Sequence, residues 1–171
     1  MGLILIIIRS LSGFVLPLQS KVLLDEVVPN KDFSQLYTLI FIRTMAMLKQ
    51  YFQIRDEYRE KYGEKTILLF QVGAFYEVYT QVDAKTKEIV EEQVIDFKRF
   101  AELASANKNE TTLMLGFRDY IIEKYVEKIQ NRGYTAVVYS QDAPAANTTR
   151  SLTGIFSPGT FFSVNNDEIS N

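Results

Sequence analysis

Residues 66–80, TILLFQVGAFYEVYT, decide the fold of this chain. Thr66 to Val72 form an almost continuous apolar run of strand length, which is typical of a central strand covered on both faces. Gly73 and Ala74 interrupt the run, and Phe75 to Thr80 then form a second extended stretch rich in aromatic residues and valine. The sequence therefore predicts two strands separated by a short break.

Helical and extended patterns alternate on both sides of these strands. Apolar residues at helical spacing predict a helix from Met45 to about Tyr62 that ends at Gly63. Further along, the pattern predicts a strand at Lys87–Gln93, a helix at Val94–Ala104, a polar turn at Asn107–Glu110 and a strand at Thr111–Phe117. It then predicts a helix at Ile121–Ile129 that ends at Gly133, and strands at Tyr134–Ser140 and Ser151–Phe156. This alternation favours an α/β fold, a mixed β-sheet flanked by α-helices, preceded by an apolar helical N-terminal segment.

The composition limits the chemistry that the chain can perform. Its 171 residues are 47% apolar and 13% aromatic, which is enough for one domain with a substantial core. There is no cysteine, histidine or tryptophan, so disulfides, thiolate or imidazole metal sites and Ser-His-Asp or cysteine nucleophiles are excluded. A carboxylate-held Mg²⁺ is the metal site that the remaining residue types permit.

The charges divide the chain into two pieces. Residues 1–43 are mostly aliphatic, with four basic and three acidic side chains, whereas residues 44–171 carry 15 basic and 18 acidic side chains and a net charge of -3. We therefore predict an apolar segment over residues 1–43, a domain over residues 44–163 and the start of a linker at residues 164–171.

The N-terminal piece has a resemblance of its own. Residues 13–40, GFVLPLQSKVLLDEVVPNKDFSQLYTLI, resemble the segment that links the first two membrane helices of ABC exporters. The glycine-rich phosphate loop of such transporters does not occur in this chain, so the segment would be inert in transport. We expect a fusion, a misassembled gene or a mis-set start, with a membrane contact only if residues 1–43 are genuine.

Three further motifs resemble another family. FQVGAFYEVY at residues 70–79, LMLGFRDYIIEKYVEKIQNRGYTAVVYSQ at residues 113–141 and TGIFSPGT at residues 153–160 look like the N-terminal mismatch-recognition domain of MutS proteins. The resemblance extends from residue 45 to about residue 163. It includes the Phe-x-Glu signature of that domain, here Phe75 and Glu77.

The resemblance implies roles for the residues at the break. Phe75 would wedge into the minor groove and stack on a mispaired base, and Glu77 would hydrogen-bond that base. Alternation along a strand supports this, because Phe75 and Glu77 then point one way while Tyr76 anchors in the core. Inserting an apolar wedge costs a few kcal/mol of unstacking, and a mismatch yields to it more easily than a correctly stacked duplex.

Four other residues complete the predicted DNA-binding set. Gly73 and Ala74 form the break beside the wedge, and Arg118 and Arg150 are candidate phosphate contacts. The chain departs from the family pattern at Ala74, where many members carry Asp. It also departs around Lys98 and Arg99, where a Thr-Lys-Arg-Gly turn is expected. The net charge of -3 predicts weak binding by this domain alone.

The resemblance also implies partners and cofactors. The ligand would be mismatched double-stranded DNA, and the protein partners would be a MutS-like dimer partner and MutL. ATP and Mg²⁺ would belong to other domains of the full-length family, with no cofactor held by this chain. We expect no enzymatic activity from the chain itself and a cytoplasmic or nucleoid-associated location.

Two alternatives come from other classes of protein. Glu77, Asp83 and Lys85 match the Glu and Asp-x-Lys arrangement of Mg²⁺-dependent nucleases, in which the carboxylates bind metal and the lysine orients water. The other alternative, based only on residues 1–43, is a membrane-anchored remnant of an exporter.

Overall fold

A computed structural model describes residues 33–143 and 149–159 of the chain. Most of the exporter-like segment, and the predicted linker start at residues 164–171, lie outside the described residues. The described part contains helices α1–α3, strands β1–β6 and a short 3-10 helix before α3. In chain order these are α1 Phe33–Tyr62, β1 Thr66–Val72, β2 Phe75–Gln81, α2 Glu92–Ala101, β3 Ser105–Asn109, β4 Thr112–Arg118, the 3-10 helix Asp119–Ile121, α3 Ile122–Asn131, β5 Thr135–Gln141 and β6 Arg150–Phe156.

The strands form one six-stranded mixed sheet in the order β3-β4-β2-β1-β5-β6. Strands β1 and β5 are parallel, with Leu68 opposite Val137, and the other neighbouring pairs are antiparallel. The apolar strand β1 therefore lies in the interior of the sheet, as the pattern of residues 66–72 predicts.

Both faces of the sheet are covered by helices. Strand β1 directs Ile67 and Leu69 to one face, where they pack with the buried side chains of α2 and α3. It directs Leu68 and Phe70 to the other face, against the buried residues of α1, which are Leu48, Tyr51 and Tyr58. This arrangement confirms the predicted α/β class with a mixed sheet flanked by helices.

The first helix is longer than the sequence pattern predicts. It begins at Phe33 rather than Met45 and continues without interruption across residues 43 and 44, where the charge division falls. Residues 33–44 contain no glycine or proline that would end a helix early. The predicted end is correct, because Gly63 has a φ of +89° and donates its N–H to the Arg59 carbonyl oxygen at 2.8 Å.

A helix that crosses a bilayer needs roughly 20 mainly apolar residues. Among the helices of the described residues, α1 included, none is both long and apolar enough to cross a membrane.

Two predictions around α2 are wrong. The strand predicted at Lys87–Gln93 is absent, because only an isolated bridge between Val82 and Ile89 forms there. The polar turn predicted at Asn107–Glu110 overlaps strand β3 instead. An edge strand pairs through its backbone and needs no apolar face, so the polar sequence of β3 shows no strand pattern.

Truncating Ile129 tests the packing of α3 on the sheet. This side chain is fully buried among residues of both layers, so Ile129→Ala should lower the free energy of unfolding by roughly 2 to 5 kcal/mol. Urea denaturation of the full chain measures the loss. The exposed Glu127 on the same helix provides the control, since Glu127→Ala should change stability by less than about 0.5 kcal/mol. Equal effects of the two variants would contradict this packing.

Candidate nucleic-acid interface

The break in the apolar run is a two-residue hairpin turn between β1 and β2. Val72 pairs with Phe75, and Gly73 and Ala74 form the turn between them. Gly73 has a φ of +60°, a conformation that glycine adopts without the cost that a side chain imposes. Its N–H donates to Gln141 Oε1 at 2.7 Å, which fixes the turn against the end of β5.

The aromatic ring at the start of β2 lies beneath an arginine. Phe75 is half-buried and pairs with Arg118 across the β2–β4 ladder. The Arg118 guanidinium carbon lies 4.6 Å from the centre of the Phe75 ring, a cation–π distance. Arg118 itself is exposed. The structure thus brings together two of the predicted site residues at the hairpin end of the sheet.

Tyr76 takes the anchoring position that alternation predicts. It is buried on the α2–α3 face, where its ring stacks with Phe117 at 6.1 Å between centroids. Its hydroxyl shares a hydrogen bond of 2.7 Å with the Ser140 hydroxyl. The neighbouring residues of β2 are therefore held at a fixed orientation beside the turn.

Glu77 lies on the opposite face from Tyr76, but it does not project into solvent. It shares a face of β2 with Phe75, as alternation predicts, but only 4% of the residue is exposed. The Tyr79 hydroxyl donates a hydrogen bond to Glu77 Oε2, and Lys108 Nζ lies 3.6 Å from the same oxygen. A carboxylate this deeply buried needs such partners, because an unpaired buried charge is very costly.

Burial also acts on the Tyr79 hydroxyl, which lies beside Glu77. It raises the pKa of the Tyr79 hydroxyl well above its ordinary value, and the adjacent Glu77 carboxylate raises it further. The hydroxyl therefore stays protonated at neutral pH and can act as the donor to Glu77.

Arg150, the other predicted phosphate contact, is turned toward the sheet. Its guanidinium carbon lies 4.7 Å from the centre of the Phe70 ring, and its Nε donates to the Gln71 carbonyl oxygen. Burial lowers its pKa, while the nearby Glu77 carboxylate acts in the opposite direction. Contact between Arg150 and DNA phosphate stays a prediction.

The local charge differs from the overall charge of the chain. Lys108, Arg118 and Arg150 lie around residues 75–79 of β2. Two carboxylates lie in the same region, that of Glu77 and that of Asp119, whose backbone N–H donates to the Ala74 carbonyl oxygen. Lys108 was not among the predicted residues. It lies where the register of the β3–β4 ladder shifts, between Asn107 and Asn109, and no sequence signal marks that irregularity.

The nuclease arrangement is not formed. Asp83 accepts hydrogen bonds from the backbone N–H groups of Thr86 and Lys85, both at 2.8 Å, and these bonds lower its pKa. Glu77 is buried on the sheet and lies six residues away along an extended chain, which corresponds to about 20 Å. Over residues 33–143 and 149–159, no group of three or more acidic side chains could hold a metal ion.

Removing Lys108 tests the pairing of the buried carboxylate. Lys108→Met should lower the free energy of unfolding by about 3 kcal/mol, because Glu77 would remain buried without its cation. Neutralising the carboxylate as well, in Lys108→Met with Glu77→Gln, should recover part of this loss. Chemical denaturation measures both effects, with Lys124→Met on the exposed face of α3 as the control. A loss no greater than that of the control would rule out the pairing.

Comparison with known proteins identifies the domain. The family described as MutS domain I matches residues 45–165. A mutS homologue described as a DNA mismatch repair protein, from Acanthamoeba polyphaga mimivirus, is 29% identical over 117 residues, which are 66% of this chain and 10% of that protein. The DNA mismatch repair protein MutS of Petrotoga mobilis is 30% identical over 118 residues, which are 67% of this chain and 12% of the relative.

A further relative gives the same result. The DNA mismatch repair protein MutS of Thermus aquaticus is 31% identical over 118 residues, which are 67% of this chain and 13% of the relative. The chain therefore matches only about a tenth of the length of these relatives. The family match covers well over half of the chain, including the hairpin and the strands around it. This chain belongs to the MutS domain I family.

Proposed function

We propose that this chain recognises mismatched double-stranded DNA through the turn between β1 and β2, as the first domain or a fragment of a MutS-like mismatch repair protein. The observation that carries the proposal is the half-buried Phe75 ring at the hairpin end of the sheet, stacked beneath the exposed Arg118. Membership of the family supports it, since the relatives above are named as DNA mismatch repair proteins.

Phe75 has the chemistry of an intercalating wedge. Its backbone is fixed by pairing with Val72 on one side and Arg118 on the other, so the ring is presented from a rigid strand. An apolar ring that enters a base step unstacks the neighbouring bases and kinks the duplex. A mismatched step resists this deformation less than a matched one, so a wedge discriminates by deformability without reading sequence.

Arg118 would assist this insertion electrostatically. Its guanidinium lies over the ring and is exposed, so it would approach the duplex together with Phe75. A minor groove carries enhanced negative potential where it narrows, and arginine is suited to that environment. This local cation offsets part of the unfavourable net charge of the domain.

Glu77 would act as the second discriminating group. To bond a base, its carboxylate must exchange its contact with Tyr79 or Lys108 for a donor on the base. The exchange is favourable only where the base presents a donor, because a buried carboxylate left without a partner is costly. Repulsion from the phosphates adds to the cost on matched DNA.

The remaining roles belong to a longer protein. ATP and Mg²⁺ would be bound by other domains of a MutS-like protein, which would also supply most of the affinity for DNA. A MutS-like dimer partner and MutL are the proposed protein partners. The chain itself would carry no catalysis, and the location would be cytoplasmic or at the nucleoid.

Replacing the ring tests the wedge. Phe75→Ala should reduce the affinity of the full chain for a G·T heteroduplex by about tenfold, since stacking of one base on an aromatic ring contributes on the order of 1 to 3 kcal/mol. Affinity for the matched duplex should change much less. An NMR titration at low salt measures both, and Phe41→Ala, which removes an exposed ring from α1, serves as the control. If heteroduplex binding survives Phe75→Ala unchanged, Phe75 is not the wedge.

Neutralising Glu77 tests the discriminating group separately. Glu77→Gln should strengthen binding to the matched duplex more than binding to the heteroduplex, because it removes repulsion from phosphate and leaves a group that can still bond a base. The ratio of the two affinities, measured at one salt concentration, should therefore fall. Glu127→Gln on α3 makes the same charge change away from the hairpin. If the ratio of the two affinities stays unchanged, which includes an equal gain on both duplexes, Glu77 has no discriminating role.

A further inference from the structure

A second charged feature lies at the end of the sheet opposite the hairpin. Lys65 immediately precedes β1 and Tyr134 immediately precedes the parallel strand β5, so both mark the end remote from Gly73. A cleft of about 330 Å³ opens there. Its lining is Lys65, Asp96, Arg99, Phe100, Arg132 and Tyr134.

Aromatic rings position two of the three cations in this cleft. Lys65 Nζ lies 5.9 Å from the centre of the Tyr134 ring, and the Arg132 guanidinium carbon lies 5.7 Å from that of Phe100. The two rings lie next to each other, 5.9 Å apart. Cation–π contacts of this kind hold the positive groups over an apolar floor without neutralising their charge.

The carboxylate in the lining is already engaged. The Tyr134 hydroxyl donates to Asp96 Oδ2 at 2.7 Å, and Arg99 Nη1 lies 3.4 Å from Asp96 Oδ1. Burial, together with the bond to Asp96, raises the pKa of Tyr134 to about 12, so the hydroxyl keeps its proton. The six lining residues carry a net charge of +2, from three cations and one carboxylate, and the nearby Glu92, whose charge also acts on Tyr134, reduces this excess. In the described part of the chain, neither Lys65 nor Arg132 forms a salt bridge with a carboxylate.

We propose that this cleft binds a phosphate group. Two guanidinium groups offer paired N–H donors in the planar geometry that matches phosphate oxygens, and the ammonium of Lys65 adds a third positive group. A volume of about 330 Å³ suits a small ligand rather than a protein segment. The phosphate can be free, part of a nucleotide, or part of a nucleic-acid backbone, since the recognising chemistry is the same.

The cleft is separate from the proposed mismatch interface. The seven residues of β1 lie between the two sites, and an extended strand of that length spans about 23 Å. A duplex held at the hairpin therefore does not require the cleft, and the phosphate site can be tested independently of Phe75.

The test is an NMR titration of the full-length, isotope-labelled chain with inorganic phosphate at constant ionic strength. Saturable shifts are expected at the amides of Lys65, Arg99 and Arg132. Arg132→Gln and Lys65→Gln should each weaken binding by about tenfold, because each removes a charge-assisted contact. Lys124→Gln, which removes an exposed cation elsewhere on α3, should bind like the original chain. Unchanged shifts at residues far from the cleft verify that each variant is folded.

Two more ligands identify the source of the phosphate. Tighter binding of AMP at the same amides assigns the site to nucleotides, and shifts at these amides with a matched duplex assign it to backbone phosphate. Succinate carries the same charge on carboxylates and should bind much more weakly. Shifts that do not saturate, that survive both variants, or that succinate reproduces at equal strength would overturn the proposal.

Discussion

Strand β1 must bury both of its faces, because Ile67 and Leu69 point one way and Leu68 and Phe70 the other, and all four are almost inaccessible to solvent. A strand of this kind is stable only between two helical layers and between two neighbouring strands. Helix α1 covers one face and helices α2 and α3 cover the other, while β2 and β5 pair with its edges. The turn after β1 consequently lies at the rim of the sheet, where it can meet a ligand.

The same layering determines the chemistry at the hairpin end of the sheet. Residues of β2 that face α1 enter an apolar environment, yet one of them is Glu77. Its charge is accommodated by a protonated tyrosine and by Lys108 from the edge strand. The Phe75 ring, two residues nearer the turn on the same face, is covered instead by the exposed Arg118. The hairpin end of the sheet thus presents an aromatic ring under a cation, with a partnered carboxylate behind it.

The sequence pattern predicts those parts of the fold that depend on apolar periodicity. Strands β1, β2, β4 and β5 and helix α3 are all recognisable from it, and so is the orientation of Tyr76 into the core. Strand β3 is not, because SANKN carries no apolar alternation and pairs only at the edge. The burial of Glu77 could not be predicted either. It depends on Lys108, which is remote in sequence and reaches the carboxylate from an irregular position in the β3–β4 ladder.

Insertion of the Phe75 ring beside a mispaired base, as proposed, would be visible in intermolecular nuclear Overhauser effects. The measurement uses the full chain, with its phenylalanine rings isotope-labelled, bound to a G·T heteroduplex. We expect contacts between Phe75 ring protons and protons of the mispaired base or its neighbour, with loss of the contacts between that ring and Arg118. If the Phe75 ring keeps its Arg118 contacts and shows none to DNA, while other residues of the chain do contact DNA, the ring does not insert.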